Sequence, residues 1–235
     1  MQHPAYHIFP LGDAGLTISF GDTINPALNR YITGLFHYFK QSELPYVRDI
    51  VPAYTTLSLH YDLVQVMRLK KDTITAYEYV VEQVHHLILH ATETEAKQAR
   101  RINIPVCYQP SYAPDIQALA TEKNCSVGDI IAWHRSRTYL VYMIGFLPGF
   151  PYMGEVDERL AAPRKTTPRN SVPAGSVGIA GNQTGIYPVA SPGGWQLIGR
   201  TPLKLFRPDQ TVPVLLQPGD EVVFYSITED EFENY

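Results

Sequence analysis

VPAGSVGIAGNQTGIY, residues 172–187, places four glycines and one proline among sixteen residues. A helix cannot carry such a stretch, because proline lacks an amide donor and each internal glycine costs about 1 kcal/mol relative to alanine. Short strands joined by tight turns can. The same punctuation extends outward, since 11 of the 19 prolines and 11 of the 16 glycines fall within residues 145–219. From Tyr139 onward the pattern predicts strand and turn, ending in a Pro-Gly-Asp turn at 218–220 and an alternating strand over 222–227. Many short strands must hide their edges, so a closed or nearly closed β-barrel is expected. Upstream, Ile102, Ile104 and Val106 alternate as a strand. Two short helices follow, one over 115–123 and one opened by a Ser126–Asp129 capping box with Ile130, Ile131 and Trp133 turned inward.

The first ninety residues read differently. Strands are predicted at 6–9 and 16–20, joined by a turn at Gly12 and Asp13. Asn25 before Pro26 is a cap followed by a preorganised first turn, and Leu28, Tyr31, Ile32, Leu35, Phe36 and Phe39 recur at helical spacing. Strands at 47–51 and 55–61 come next, then a helix from an Asp72 cap through Ile74, Tyr77, Val81, Val84 and Ile88. Strand-strand-helix-strand-strand-helix predicts an α+β two-layer sandwich. The expected division is 1–92 for this sandwich, a charged linker at 93–101 and 102–235 for the barrel.

Composition narrows the function. A chain of 235 residues with 45% hydrophobic and 18% charged residues is that of an ordinary folded protein. Neither a leader segment nor an apolar run of about 18 residues is visible, so a cytoplasmic address and no membrane partner are expected. Cys107 and Cys125 are too few for a disulfide framework and read as reduced thiols. A net charge of -4 argues against nucleic acid. The distribution is more telling. Residues 160–208 contain no Asp or Glu, yet carry Arg164, Lys165, Arg169, Arg200, Lys204 and Arg207, a positive field suited to a small anion.

No phosphate-binding glycine loop and no nucleophile elbow are present. His86 and His90 stand four apart on a helix without a third ligand, so no metal is expected. In SPGGWQLIGRT (191–201), Gly193 and Gly194 remove side chains where a ligand could approach, Trp195 offers an apolar wall and Arg200 a fork for a carboxylate or phosphate. Ser176, Asn182, Gln183 and Thr184 are uncharged hydrogen-bonding groups suited to an amide-bearing ligand. His134 is the only imidazole beyond His90 and, with Tyr139, the nearest candidate proton handler. MIGFLPGFPYM (143–153) has almost no polar side chains, so its amides must bond across strands or face a ligand.

The blocks GFLPGFPYMG, PRKTTPR, VPAGSVGIAGNQTGIYP and SPGGWQLIGRTPLKLF, with FGD at 20–22 and PAYTTLSLHYD at 52–62, resemble the kinase-inhibitor and allophanate-hydrolase subunit 1 family over nearly the whole chain. Glu155 and Leu63 depart from residues commoner there, glycine and proline. The resemblance implies an α/β first domain and a cyclophilin-like second barrel. It also implies an ATP-dependent 5-oxoprolinase that opens 5-oxoproline to glutamate. In that assembly a chain of this kind works beside a larger homologous barrel subunit, the C subunit, and a third one, the A subunit; ATP is bound with these partners. On this basis His134, Arg169 and Arg200 are the expected catalytic residues, and Arg164, Gln183, Thr184, Gly193, Gly194 and Trp195 the expected substrate-binding ones. A relative that inhibits a sensor histidine kinase supplies the alternative, a binding function with a kinase as partner. Prolyl isomerisation would follow from the barrel type alone, and fold analogy is weak evidence for activity.

Overall fold

The computed structural model describes residues 3–91 and 99–235, in two compact units, Met1–Gln98 and Ala99–Tyr235. Of the expected linker, residues 93–98 lie outside the described residues.

In the first unit, β1 (His7–Pro10), β2 (Gly15–Ser19), α1 (Pro26–Gln41), β3 (Val47–Pro52), β4 (Thr56–Tyr61), α2 (Leu63–Leu69) and α3 (Ala76–His90) follow in order. The four strands form an antiparallel sheet ordered β1-β2-β4-β3. Asn25 caps α1, its Oδ1 accepting from the amides of Ala27 and Leu28, while Pro26 occupies the first turn. Leu16, Ile18, Leu57 and Leu59 of the sheet pack with Ile32, Leu35 and Phe39 of α1 and Val80, Val84 and Ile88 of α3. This is the expected two-layer sandwich.

The helix expected from Asp72 is α3, which starts later, at Ala76, and a short helix that was not expected, α2, precedes it. Asp62 caps α2 by accepting from the Gln65 amide at 3.0 Å, and Thr75 opens α3 through a capping box with Glu78. Thr75 is the better start because Glu78, three residues on, returns a bond to its amide, so two otherwise orphaned donors are satisfied at once. The buried stripe is accordingly Ala76, Val80, Val84 and Ile88, with Tyr77 and Val81 half-buried.

The second unit begins with β5 (Arg101–Cys107), α4 (Ile116–Glu122), α5 (Val127–Arg135), β6 (Thr138–Ile144) and β7 (Pro151–Gly154). A single 3-10 turn, Glu158–Leu160, leads to β8 (Arg169–Val172), β9 (Ser176–Ala180), β10 (Gln183–Ile186), β11 (Ser191–Gly193), β12 (Gln196–Arg200), β13 (Glu221–Ile227) and α6 (Glu229–Glu233). Seven strands close a barrel in the order β10-β7-β6-β13-β5-β12-β9, while β8 and β11 pair separately. Closure runs through a parallel seam between β5 and β13, from Arg101 opposite Glu221 to Cys107 opposite Ile227. Beside that seam Arg100 grips the buried Asp220 with two nitrogens, Nε at 2.8 Å and Nη2 at 2.5 Å.

His134 belongs to the barrel core. It lies in the last turn of α5 at 0% exposure, its ring stacked 4.5 Å from Phe224. Nδ1 lies 2.8 Å from Tyr108 Oη, and Nε2 lies 3.2 Å from Thr184 Oγ1. Because Thr184 donates its one hydroxyl proton to the Gly178 carbonyl at 3.0 Å, it accepts from Nε2–H, and Tyr108 donates to Nδ1. Tyr139, also sealed, donates to the His134 carbonyl at 2.7 Å. The proton-handling role expected for His134 and Tyr139 is thus corrected to a structural one: both ring nitrogens are occupied and no solvent reaches them. The hydrogen-bonding role expected for Thr184 is corrected in the same way, its hydroxyl being used up inside the barrel.

Burial pushes the His134 imidazole down from its ordinary 6.5 to about 3. The unfolded chain therefore binds a proton at this residue that the folded chain refuses, and stability falls as pH drops from 6.5 toward 3, by up to ~1.4 kcal/mol per pH unit. Urea denaturation at pH 7, 6 and 5 will show this slope in the native protein. The His134→Gln variant, though less stable throughout, will show a flatter one.

Candidate functional site

Beyond the barrel core lies a smaller aromatic cluster. Phe150, Val172, Ala180, Tyr187, Trp195 and Leu197 are buried together, with Leu147 and Tyr152 packed against them. Phe150 stands edge-on to both Tyr187 and Trp195, at 5.2 and 5.4 Å between ring centroids, an arrangement favoured by the ring quadrupoles. The β6–β7 loop supplies Phe150 and satisfies its own backbone: Gly145 donates to the Phe150 carbonyl at 3.1 Å, and Phe150 donates to the Leu147 carbonyl at 3.0 Å. At its tip Phe146 takes a φ of 64° and is 64% exposed, a left-handed conformation that is costly for a bulky side chain.

The basic segment 163–169 lies along this cluster. Lys165 donates its amide to the Gly194 carbonyl at 2.7 Å, and Gln196 Nε2 donates to the Pro163 carbonyl at 3.1 Å. Asp115 fixes the arrangement. Its carboxylate, 6% exposed, takes Lys165 Nζ at 3.0 Å and Arg169 Nη2 at 2.5 Å on Oδ1, and the Leu197 amide at 2.7 Å on Oδ2. Burial pushes this carboxyl up, but the bonds from Arg169, Leu197 and Lys165 outweigh it and hold the group below the usual carboxylate range. Arg164 is exposed, and its charge reaches the phenols of Tyr152 and Tyr187, which burial raises and Arg164 pulls back down. Three cations therefore border one aromatic cluster, two of them ion-paired to Asp115 and the third, Arg164, exposed beside the half-buried Tyr152, a surface suited to a small anion.

The structure distributes the predicted residues unevenly. Arg164, Arg169, Gly193, Gly194 and Trp195 are brought together. Gln183 sits at the start of β10, opposite Gly154 and Ala180, half-buried. Arg200 ends β12 four residues from Gln196, donates Nε to the Ala174 carbonyl at 2.8 Å and lies 5.8 Å from the Phe232 ring, so it belongs to other surroundings than Arg169. Of the twin glycines, the space at Gly193 is filled by Tyr187. A Cβ on Gly193 would fall 2.3 Å from Tyr187 Oη, while one on Gly194 would meet only ordinary contacts, Lys165 O and Pro168 at 3.6 Å. Among the described residues no three His, Cys, Asp or Glu gather as a metal site, and no helix is long and apolar enough to cross a membrane.

Asp115 is the residue that sequence reasoning missed. The signal was indirect: the barrel segment rich in arginine holds no carboxylate of its own, so a buried partner for its cations had to come from elsewhere in the chain.

With its sandwich followed along the chain by a seven-stranded barrel, the protein belongs to the family of the carboxyltransferase domain, subdomain C and D, whose model matches residues 6–216. Within it, the chain is 42% identical over 231 residues to a protein named as the B subunit of 5-oxoprolinase from Bacillus subtilis (strain 168), covering 98% of this chain and 96% of the relative. A protein of the same name from Escherichia coli O157:H7 is 50% identical over 134 residues, 56% of this chain and 62% of that one. Among solved structures, a conserved uncharacterized protein from Pyrococcus horikoshii is 42% identical, with a TM-score of 0.56 over 96% of this chain and 100% of its own. TTHA0988 is 34% identical, with a TM-score of 0.77 over 91% of this chain, which spans only 39% of that longer one. The urea carboxylase of Kluyveromyces lactis, 19% identical with a TM-score of 0.71, shares the fold over 98% of this chain and 22% of its own length.

Two substitutions test the packing. Gly193→Ala will lower stability by about 1–3 kcal/mol as Tyr187 is displaced, whereas Gly194→Ala will cost less than about 0.5 kcal/mol; equal melting temperatures for the two would refute the assignment. Asp115→Ala, which strands two partly buried cations, will cost on the order of 2–4 kcal/mol by the same measurement.

Proposed function

We propose that this chain is the B subunit of an ATP-dependent 5-oxoprolinase, acting with companion subunits in the hydrolysis of 5-oxoproline to glutamate. The observation that carries this reading is the end-to-end match, 98% of this chain against 96% of the relative, to a protein of that name. The basic segment supports it. 5-Oxoproline is a small, flat lactam with one carboxylate; Arg164, Lys165 and Arg169 offer cations for the carboxylate and the half-buried Tyr152 a ring for the lactam plane, with Tyr187 and Trp195 buried beneath as support. Arg169 and Lys165 are held by Asp115, so they meet the ligand without reorganising; Arg164, exposed, is the group free to close on it.

Lactam amides are poor electrophiles, so cleavage needs activation. The lactam oxygen attacks the γ-phosphorus of ATP and ADP leaves; a first water adds to the activated carbon and the C–N bond opens to the free amine, leaving an acyl phosphate, and a second water displaces phosphate from it to give the carboxylate of glutamate. This chain has no glycine loop for phosphates, and the companions are assigned most of the ATP site.

Mixing the purified chain with the larger barrel subunit and the third subunit of the same enzyme should give ADP release that requires 5-oxoproline and matches glutamate one for one. Hydrolysis of ATP indifferent to 5-oxoproline, or none, would overturn the reading. Arg164→Gln, at an exposed position, should raise KM for 5-oxoproline at least tenfold with a smaller change in kcat; an unchanged KM would remove Arg164 from the site.

A further inference from the structure

Helix α2 is built against the usual rule. Of its seven residues, LVQVMRL, only Val66 is buried, while Leu63, Val64, Met67 and Leu69 are 37%, 60%, 53% and 52% exposed. Four large apolar side chains in one short helix are an unusual concentration, since exposed hydrophobes on folded proteins are normally scattered. The helix is nonetheless firmly made: Asp62 caps it and is ion-paired to Arg48, and Val66 plugs it into the first unit's core. Val64 and Met67 lie one turn apart on the outer side, with Arg68 following and Lys70 and Lys71 at the C-terminal end; the next carboxylate in sequence is Asp72.

We propose that the outer face of α2 is the docking surface for a companion protein subunit whose contact patch is apolar at its centre and rimmed by carboxylates. This rests on the reading of the chain as one member of a hetero-oligomeric enzyme. Charge selects the occupant. A second copy would bring the same three cations, Arg68, Lys70 and Lys71, from a stretch 63–71 that holds no carboxylate to neutralise them, and like-charged faces are disfavoured. A helix of seven residues spans only about 10 Å and is pinned by Val66, unlike the longer amphipathic helices that lie in a membrane surface. An acidic-rimmed partner neutralises the cations and covers Leu63, Val64 and Met67, which lie within about 100° of one another around the helix, the pattern of an apolar hot spot within a polar rim.

The test uses the full chain immobilised and titrated with the two purified companions, the larger barrel subunit and the third subunit, separately and together. The double variant Val64→Asp with Met67→Asp should weaken binding at least thirtyfold while its circular-dichroism melt stays within a few degrees of the native chain. Arg68→Glu with Lys71→Glu should slow association at least tenfold and remove most of the salt dependence. Val212→Asp, at an exposed apolar residue of the second unit, should bind as the native chain does. Native-like binding by the α2 double variant, with turnover intact, would sink this surface and leave the enzyme reading standing. Failure of the native chain to bind either companion would overturn both. Self-association abolished by the double variant, or its loss of binding to anionic phospholipid vesicles, would reassign the face and also defeat the proposal.

Discussion

The basic segment of the second unit is held in place by one buried carboxylate. Asp115 lies at the start of α4, where its backbone donates to the Leu197 carbonyl at 3.0 Å while its side chain accepts from the Leu197 amide. A charge taken from water is tolerated only when it is paired and hydrogen-bonded, and these bonds leave Asp115 one arrangement. That arrangement draws Lys165 and Arg169 in and lays segment 163–169 along the end of β12. The position of Arg164 and the bond from the Lys165 amide to the Gly194 carbonyl follow from where that segment is held.

Much of the architecture was legible because local signals agreed with the fold. Asn25-Pro26 marked α1, the Ser126–Asp129 pair marked α5, and the crowd of glycines and prolines marked a strand-rich second half. Where two signals competed, the better one lost notice: Asp72 resembled a cap, but Thr75 had the glutamate at the right spacing. The same capping pattern at Thr228 and Glu231 announced α6, which the alternating strand before it masked.

The site was less legible, because proximity in a barrel is set by strand register and not by distance along the chain. Arg169 and Arg200 look equivalent as cations of one acid-free segment, yet one faces Gly193 across β8–β11 and the other ends β12 opposite Cys107. Glycines next to a tryptophan suggested room for a ligand. Gly193 makes room for Tyr187 instead, and Gly194 lies against Lys165 and Pro168. Residue type also misled at His134 and Thr184, whose polar atoms satisfy each other inside the barrel, a use of hydrogen-bonding groups that no local pattern distinguishes from chemistry.

The parallel seam has a further consequence for how the protein is made. Arg100 and Asp220, which flank it, are 120 residues apart, so the barrel cannot be sealed until nearly the whole of that distance has left the ribosome. The sandwich, whose strands pair with near neighbours, can acquire its contacts much earlier in synthesis. For most of its birth the second half waits with unpaired strand edges, and chaperone demand should concentrate there.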